Sequence, residues 1–423
     1  MNKLDALIAE LCPQGVERKR LGDIGVVVRG NGLQKKDFTE SGVGCIHYGQ
    51  IYTYYGTCAY KTKSFVSPEL AEKLQKVNKG DLVIAVTSEN VEDVGKCVVW
   101  LGDEQIVTGA HAAIFRHNQD PKYVAYWFQT NDFFTQKKRI AKGTKVIDLT
   151  PQKLEEVTMP VPPLPVQREI VRILDNFAEL TAELTAELTA RKKQYEFYRN
   201  ELLSFTAKSE MVELGDICHF VRGPFGGALK KEIFQPNGYA VYEQQNAIYQ
   251  NLRFRYYIDE EKFNELRRFA VQPGDVIVSC SGTIGKTFVI PENAPEGIIN
   301  QALLKLTPNS EKINVFYLQF FFENTISKIM NKVARGGAIK NVPSVSELKA
   351  IKLYLPPIEI QQRIVNVLSN FDTICSDLNI GLPAEIEARK KQYEYYRDML
   401  LTFAAADDII LTDRQTDRQT EHN

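Results

Sequence analysis

The sequence has no apolar run long enough to cross a bilayer. Its most hydrophobic stretch, the aromatic segment around residues 316–322, is short and reads as a buried helix. Its seven cysteines form no CxxC pair, and none of its five histidines stands beside them at zinc-ligand spacing. Reduced thiols without a metal, in a cytoplasmic protein, are the expectation. The opening MNKLDALIAEL is too polar for a signal peptide and reads as a short amphipathic helix through Leu4, Leu7, Ile8 and Leu11. Charge of one sign is not in excess: 52 Lys and Arg face 53 Asp and Glu, so the total does not announce nucleic acid. Catalytic signatures are missing too. Gly285-Lys286-Thr287 looks like the end of a phosphate-binding loop, but the position five residues before Gly285 is Cys280. There is no G-x-G-x-x-G after a strand, and no Asn-Pro-Pro-Tyr or Asp-Pro-Pro-Tyr motif for adenine methylation. Asp81 and Asp275 lack a Glu-x-Lys at nuclease spacing and read as turn aspartates.

What the sequence has is a long stretch without a helix breaker. After the prolines at 162, 163 and 165, neither Gly nor Pro occurs through residue 205. Ile170, Leu174, Phe177, Leu180 and Leu184 recur three or four residues apart, the spacing of one apolar helix stripe. At 1.5 Å per residue this is a rod of roughly 55–60 Å. Within it Thr-Ala-Glu-Leu occurs twice, over residues 181–188. The rod has a twin over residues 356–403. Residues 191–205 and 389–403 agree at 11 of 15 positions. The twin carries Gly381-Leu382-Pro383, which should interrupt its helix. Two such stripes are expected to pack on each other.

The repetition extends to the rest of the chain. Leu21-Gly22-Asp23-Ile24 returns as Leu214-Gly215-Asp216-Ile217, Val28-Arg29-Gly30 as Val221-Arg222-Gly223, Gly80-Asp81 as Gly274-Asp275, and Gly95-Lys96 as Gly285-Lys286. A period near 195 residues is a domain duplication, not a solenoid. The expected order is an N-terminal helix and linker (1–20), a globular block (21–161), a helical spacer (162–207), a second block (212–355), a distal spacer (356–405) and a disordered tail (406–423). Each block reads as α+β, with short β-branched strands, one helix over about residues 122–139 and a strongly curved sheet.

Two clusters recur in each block and suit nucleic acid. The first contains Tyr48, Gln50, Tyr52, Lys61 and Lys63, set against Tyr242, Gln244, Asn246, Arg253 and Arg255. Gln and Asn can read adenine edges, Arg can read guanine, and Tyr and Lys can hold phosphates. The second contains Lys137, Lys138, Arg139, Lys142, Thr144 and Lys145, set against Lys332, Arg335, Lys340 and Asn341, with glycines that let backbone approach a phosphate. Arg29 and Arg222 join them at matched strand ends. The tail repeats Thr-Asp-Arg-Gln, which a four-base tract read through three frames would encode.

Tandem blocks that each end in PPL or PPI-x-x-Q and in an RKKQYE-x-YR-x-x-LL helix, with Thr-Ala-Glu-Leu repeats between, resemble the specificity subunits of type I restriction–modification systems. The resemblance covers nearly the whole chain. It implies two pseudo-symmetric α/β target-recognition domains, each reading half of a split site in double-stranded DNA. It also implies two long antiparallel helices, packed as a coiled coil, that hold the domains apart. The spacer residues Leu180, Thr181, Leu184, Thr185 and Leu188 would then set the gap between half-sites. Implied partners are two modification subunits, which bind S-adenosylmethionine and methylate adenine N6, and restriction subunits that use ATP and magnesium. This chain itself would bind no cofactor and carry no catalysis. An autonomous DNA-modifying enzyme and a coiled-coil interaction protein without a DNA role are the alternatives.

Overall fold

The computed structural model describes residues 3–143, 145–204, 209–333, 342–377 and 379–403. Thr144, Arg335, Lys340, Asn341 and the tail lie outside the described residues. The chain divides into two compact units. One is Met1–Thr185 with Glu385–Asn423; the other is Ala186–Ala384. The two boundaries fall inside helices, Leu164–Leu203 and Leu382–Thr402.

In the first unit, five strands pair in the order Gly25–Arg29, Ala112–His117, Leu82–Ala85, Cys97–Trp100, Cys58–Ala59. A second sheet orders Ser64–Val66, Val43–Ile46, Ile106–Thr108, Gln75–Val77, and its two central strands run parallel. Alternation along Leu82–Ala85 explains the layering. Leu82 and Ile84 join Val99, Phe115, Tyr123 and Trp127 in one core, whereas Val83 and Ala85 join Ile46, Val77, Trp100 and Ile106 in another. The five-stranded sheet is thus buried on both faces, so its strand reads as an unbroken apolar run.

The second unit repeats this plan. Cys218–Arg222, Leu303–Pro308, Val276–Ser279 and Thr287–Val289 form the main sheet, and Tyr239–Tyr242 pairs in parallel with Gly297–Ile299 in the smaller one. The expected helix over residues 122–139 is two helices in the first unit, Pro121–Trp127 and Asn131–Ile140. The Thr130 hydroxyl accepts from Phe133 N–H and caps the second of them. In the second unit the counterpart is unbroken, Val315–Val333.

Each Pro-Pro-x-x-x-Gln segment fastens its block to the following helix. Gln167 is fully buried. Its Nε2 donates to Pro162 O at 2.7 Å and Gln119 Oε1 at 2.8 Å, and its Oε1 accepts from Asp120 N at 3.0 Å. Gln361, equally buried, donates to Pro356 O at 2.8 Å and Lys312 O at 3.0 Å and accepts from Asn314 N at 2.7 Å. Short ribbons lie beside these clasps: Arg18–Arg20 with Thr158–Pro160, and Glu210–Glu213 with Lys352–Leu355.

Along the central helix, burial follows Ile170, Leu174, Phe177, Thr181, Leu184 and Leu188, alternating steps of four and three. Leu180, expected on this stripe, is 49% exposed. A four-residue repeat turns about 400°, so leucines at 180, 184 and 188 drift about 40° per step and cannot all face one way. Thr181 takes the inward position, its hydroxyl donating to Phe177 O at 2.8 Å. Thr185 is exposed and donates to Thr181 O. In the first unit, Phe177 stacks on Tyr396 of the helix Leu382–Thr402 at 5.5 Å. In the second, Tyr195 and Tyr198 lie 6.2 and 5.8 Å from Phe371 of the helix Ile358–Ser376. The interruption at Gly381-Leu382-Pro383 is present. A Cβ on Gly381 would stand 2.4 Å from Thr373 O and 2.8 Å from Asp377 O, so only glycine lets the chain turn back over the helix end.

The N-terminal helix Lys3–Leu11 buries Leu4 and leaves Leu11 exposed. Lys3 and Arg172 both ion-pair with Glu169, at 2.8 and 2.6 Å. The Arg172 guanidinium, then Lys3, holds the Glu169 carboxyl down at about 2. Its folded value lies below the unfolded one, near 4.3. The stabilisation is therefore present above about pH 4.3 and is lost as pH falls toward 2. Glu169→Gln should flatten the fall in unfolding free energy between those limits, measured by urea titration at several pH values. Gln167→Ala leaves the Asp120 N–H and two further groups without their partner and should cost roughly 2–4 kcal/mol in the same measurement. Gln361→Ala should do likewise in the second unit.

Candidate nucleic-acid interface

Several of the candidate residues converge on one edge of the first unit. Arg29 sits at a strand end. Its Nε donates to Ala110 O at 3.0 Å, and its guanidinium pairs with Asp148 at 2.5 Å. Asp148 exchanges backbone hydrogen bonds with Lys142 and pairs in register with Thr87. The Thr87 hydroxyl lies 2.8 Å from His111 Nδ1, and Tyr52 donates its O–H to Thr87 O at 2.8 Å. The His111 ring lies 4.8 Å from Tyr48, which also has His47 at 4.6 Å and Tyr52 at 6.2 Å. Arg29, Tyr48, Tyr52 and Lys142 are thereby joined through Thr87, His111 and Asp148.

Their parts differ. Burial pushes the Tyr52 hydroxyl up to about 12, and with its O–H given to Thr87 it is a brace. Gln50 is a brace as well: Oε1 accepts from His47 N at 3.1 Å and Nε2 donates to Ser64 Oγ at 2.6 Å. The candidates standing out in solvent are Lys61, Lys63, Lys142 and Lys145. Lys63 lies 4.5 Å over the Tyr54 ring. Lys137 leaves the basic cluster: it is buried and donates to Glu92 O and Val94 O at 3.0 and 2.7 Å. Burial, then Lys96, pulls its ammonium down to about 8.

The second unit corrects two assignments. Tyr242, expected on DNA, is fully buried with its O–H on Pro295 O at 2.7 Å. Asn246 is fully buried too, accepting from Glu243 N and donating to Asn251 O and Arg253 O. The cause is register. Asn246 makes the bond to Glu243 that Gln50 makes to His47, so Tyr48 corresponds to Gln244, and Tyr242 to the core residue Ile46. Gln244 is half-buried and donates to Ser281 Oγ at 2.6 Å. Arg255 is bound to Glu243 by two hydrogen bonds, at 2.9 and 2.8 Å. Arg222 and Arg253 are exposed.

Sequence reasoning missed His47, His111 and Lys35. They wall a cleft of about 340 Å³ with Gly32, Leu33, Gln34, Tyr48 and Ala110. The signal is in the sequence, since His47 directly precedes Tyr48, but a histidine without cysteine partners at zinc-ligand spacing points to no metal and by itself to no other site.

The family described as "Type I restriction modification DNA specificity domain" matches residues 13–191 and 207–388, one match on each copy. The chain belongs to this family. The specificity subunit of the type I restriction enzyme EcoR124I/EcoR124II of Escherichia coli is 34% identical over 294 residues, covering 67% of this chain and 70% of that one. A chain solved in work on complex assembly and conformational transition of the type I R-M system has the same fold. It has a TM-score of 0.64 at 18% identity, over 92% of this chain and 98% of its own. The HsdS subunit from Thermoanaerobacter tengcongensis matches over 92% of this chain and 97% of its own, with a TM-score of 0.53 at 18% identity. The protein is a DNA sequence-specificity subunit.

Exposed cations and braces should separate on mutation. Lys142→Ala, Lys145→Ala and Arg253→Ala should each weaken DNA binding for all sequences and reduce the slope of log affinity against log salt by about one. Lys137→Ala should lower stability and leave that slope unchanged.

Proposed function

We propose that each globular block reads one half of a two-part DNA site and that the helices hold the blocks at a set spacing. The observation that carries this reading is the repeated frame: two family matches in tandem, joined by one 40-residue helix without a break. The helices act as an antiparallel pair. Aromatic contacts within each unit support this, Phe177 on Tyr396 in one and Phe371 beside Tyr195 and Tyr198 in the other. The chain is non-catalytic and works in the cytoplasm within a complex. Two modification subunits bring S-adenosylmethionine and transfer its methyl group to adenine N6. Restriction subunits bring ATP and magnesium.

The Thr-Ala-Glu-Leu repeat is a ruler in this reading. One more unit adds about 6 Å of rise and a net turn of about 40°. DNA rises 3.4 Å per base pair, so the added length lies between one and two base pairs. Inserting Thr-Ala-Glu-Leu after Leu188 should keep both half-sites and lengthen the gap, read by mapping methylated adenines. Two inserted alanines turn the following segment by about 200° and should abolish methylation. An unchanged gap in the four-residue variant rules the ruler out.

A further inference from the structure

The two copies share a frame and differ at one place on it. In each, two parallel strands end side by side, Thr108 opposite Ile46 and Tyr242 opposite Ile299. In each, the first of these strands leads into a short helix. The residue before that helix is held through its backbone N–H by a side chain three positions on, Gln50 or Asn246. In each, the main-sheet strand is tied to the returning loop by one bond, Val86 N to His111 O and Cys280 N to Ala302 O, both 3.0 Å. These bonds fix the correspondences: His47 with Glu243, Tyr48 with Gln244, Thr87 with Ser281, His111 with Ala302. The backbone is kept while charge, shape and hydrogen-bonding capacity change. The carboxyl ends of parallel strands are where open sheets present ligand-contacting loops.

In the first copy three of these positions, His47, Tyr48 and His111, line the 340 Å³ cleft. We propose that this cleft is where the first block reads the bases of its half-site, with His47, Tyr48 and His111 contacting base edges and Lys35 holding the neighbouring phosphate. The assignment rests on the functional reading above and names the side chains that carry it out. His47 Nδ1 accepts from Gly49 N–H at 3.2 Å, so a neutral ring keeps its proton on Nε2. Burial, then Lys35 and His111, pushes the His47 pKa below its usual value, so the ring is neutral at physiological pH. His47 therefore offers an imidazole N–H donor and no ring acceptor. Guanine N7 and O6, adenine N7 and thymine O4 are acceptors in the major groove, whereas the cytosine amino group is a donor. The base met by His47 is one of the first three. The Tyr48 and His111 rings lie tilted by 44° and present an aromatic wall suited to a base edge or a thymine methyl. Lys35 is exposed at the rim. At the matching place the second copy carries a half-buried Gln244 and the Arg255–Glu243 pair, a different reader for a different half-site.

The test uses the full chain assembled with its modification subunits and a pool of duplexes randomised in both half-sites. Methylated products are sequenced for the wild type and for Tyr48→Ala, His111→Ala and Lys35→Ala. Tyr48→Ala and His111→Ala should lower methylation of the native site at least tenfold and relax base preference in the first half-site, leaving the second as in wild type. Lys35→Ala should lower methylation of all sequences alike. If His111→Ala does not fold, His111→Asn, which keeps a hydrogen-bonding partner for Thr87, carries the same comparison. First half-site preferences identical to wild type in the Tyr48 and His111 variants would overturn the assignment alone. A wild-type complex that methylates no two-part site would overturn the functional reading and this assignment with it.

Discussion

Two buried glutamines hold the architecture together. Gln167 and Gln361 each take the backbone N–H that opens the aromatic helical segment and return their own N–H groups to carbonyls on either side of the junction. A side chain with one acceptor and two donors is needed, because the junction exposes both kinds of backbone group in a dry interior. Alanine would leave these groups unpaired, and glutamate would bury a charge and lose the donors. With the clasp in place, the start of each long helix is fixed relative to its block. Tyr123 and Tyr317 reinforce it from the aromatic helices, their hydroxyls on Pro160 O and Tyr354 O. The Pro-Pro lead-in fits this use, since proline supplies an extended approach without a competing donor.

The duplication was legible because it is written in residues that the backbone cannot exchange. Gly95 and Gly285 both have positive φ, +83° and +77°, and both turns donate the glycine N–H back to the preceding strand at 2.8 Å. That is why Gly-Lys recurred without being a phosphate loop. Asp81 and Asp275 each accept a turn N–H, from Asn78 and Gln272, as turn aspartates do. Gly381 marked the helix break correctly because its constraint is local. Less legible was anything set by register. Matching Tyr48 to Tyr242 by residue type put a core tyrosine on the DNA, because a two-residue offset keeps the same strand face and the same composition. The split of the expected 122–139 helix was hidden as well. Thr130 is a weak cap signal unless the turn around it is known. Lys137 shows the limit of charge runs: beside Lys138 and Arg139 it reads as solvated, yet its stem is buried and its ammonium serves two carbonyls.

Difference between the copies is not by itself a mark of recognition, and one pair of positions shows why. Asp398 and Asn200 occupy the same place in the matching RKKQYE helices. In the first unit the aromatic segment breaks before Asn131, whose N–H, at a helix start, is taken by Asp398 at 3.1 Å; Arg397 balances the charge at 2.7 Å. In the second unit the aromatic helix Val315–Val333 does not break. Its N–H groups are used within the helix, so a carboxylate at position 200 would find no helix-start N–H to accept from. Asparagine stands there instead, its Oδ1 buried without a hydrogen-bond partner. The exchange follows from the backbone. No such cause exists at Tyr48 and Gln244, where the strand pairing and the side chain that holds the preceding backbone N–H, Gln50 or Asn246, are matched in both copies. A side chain that changes while the backbone demands on it stay constant is free to answer to a ligand, as the proposed base-reading cleft requires.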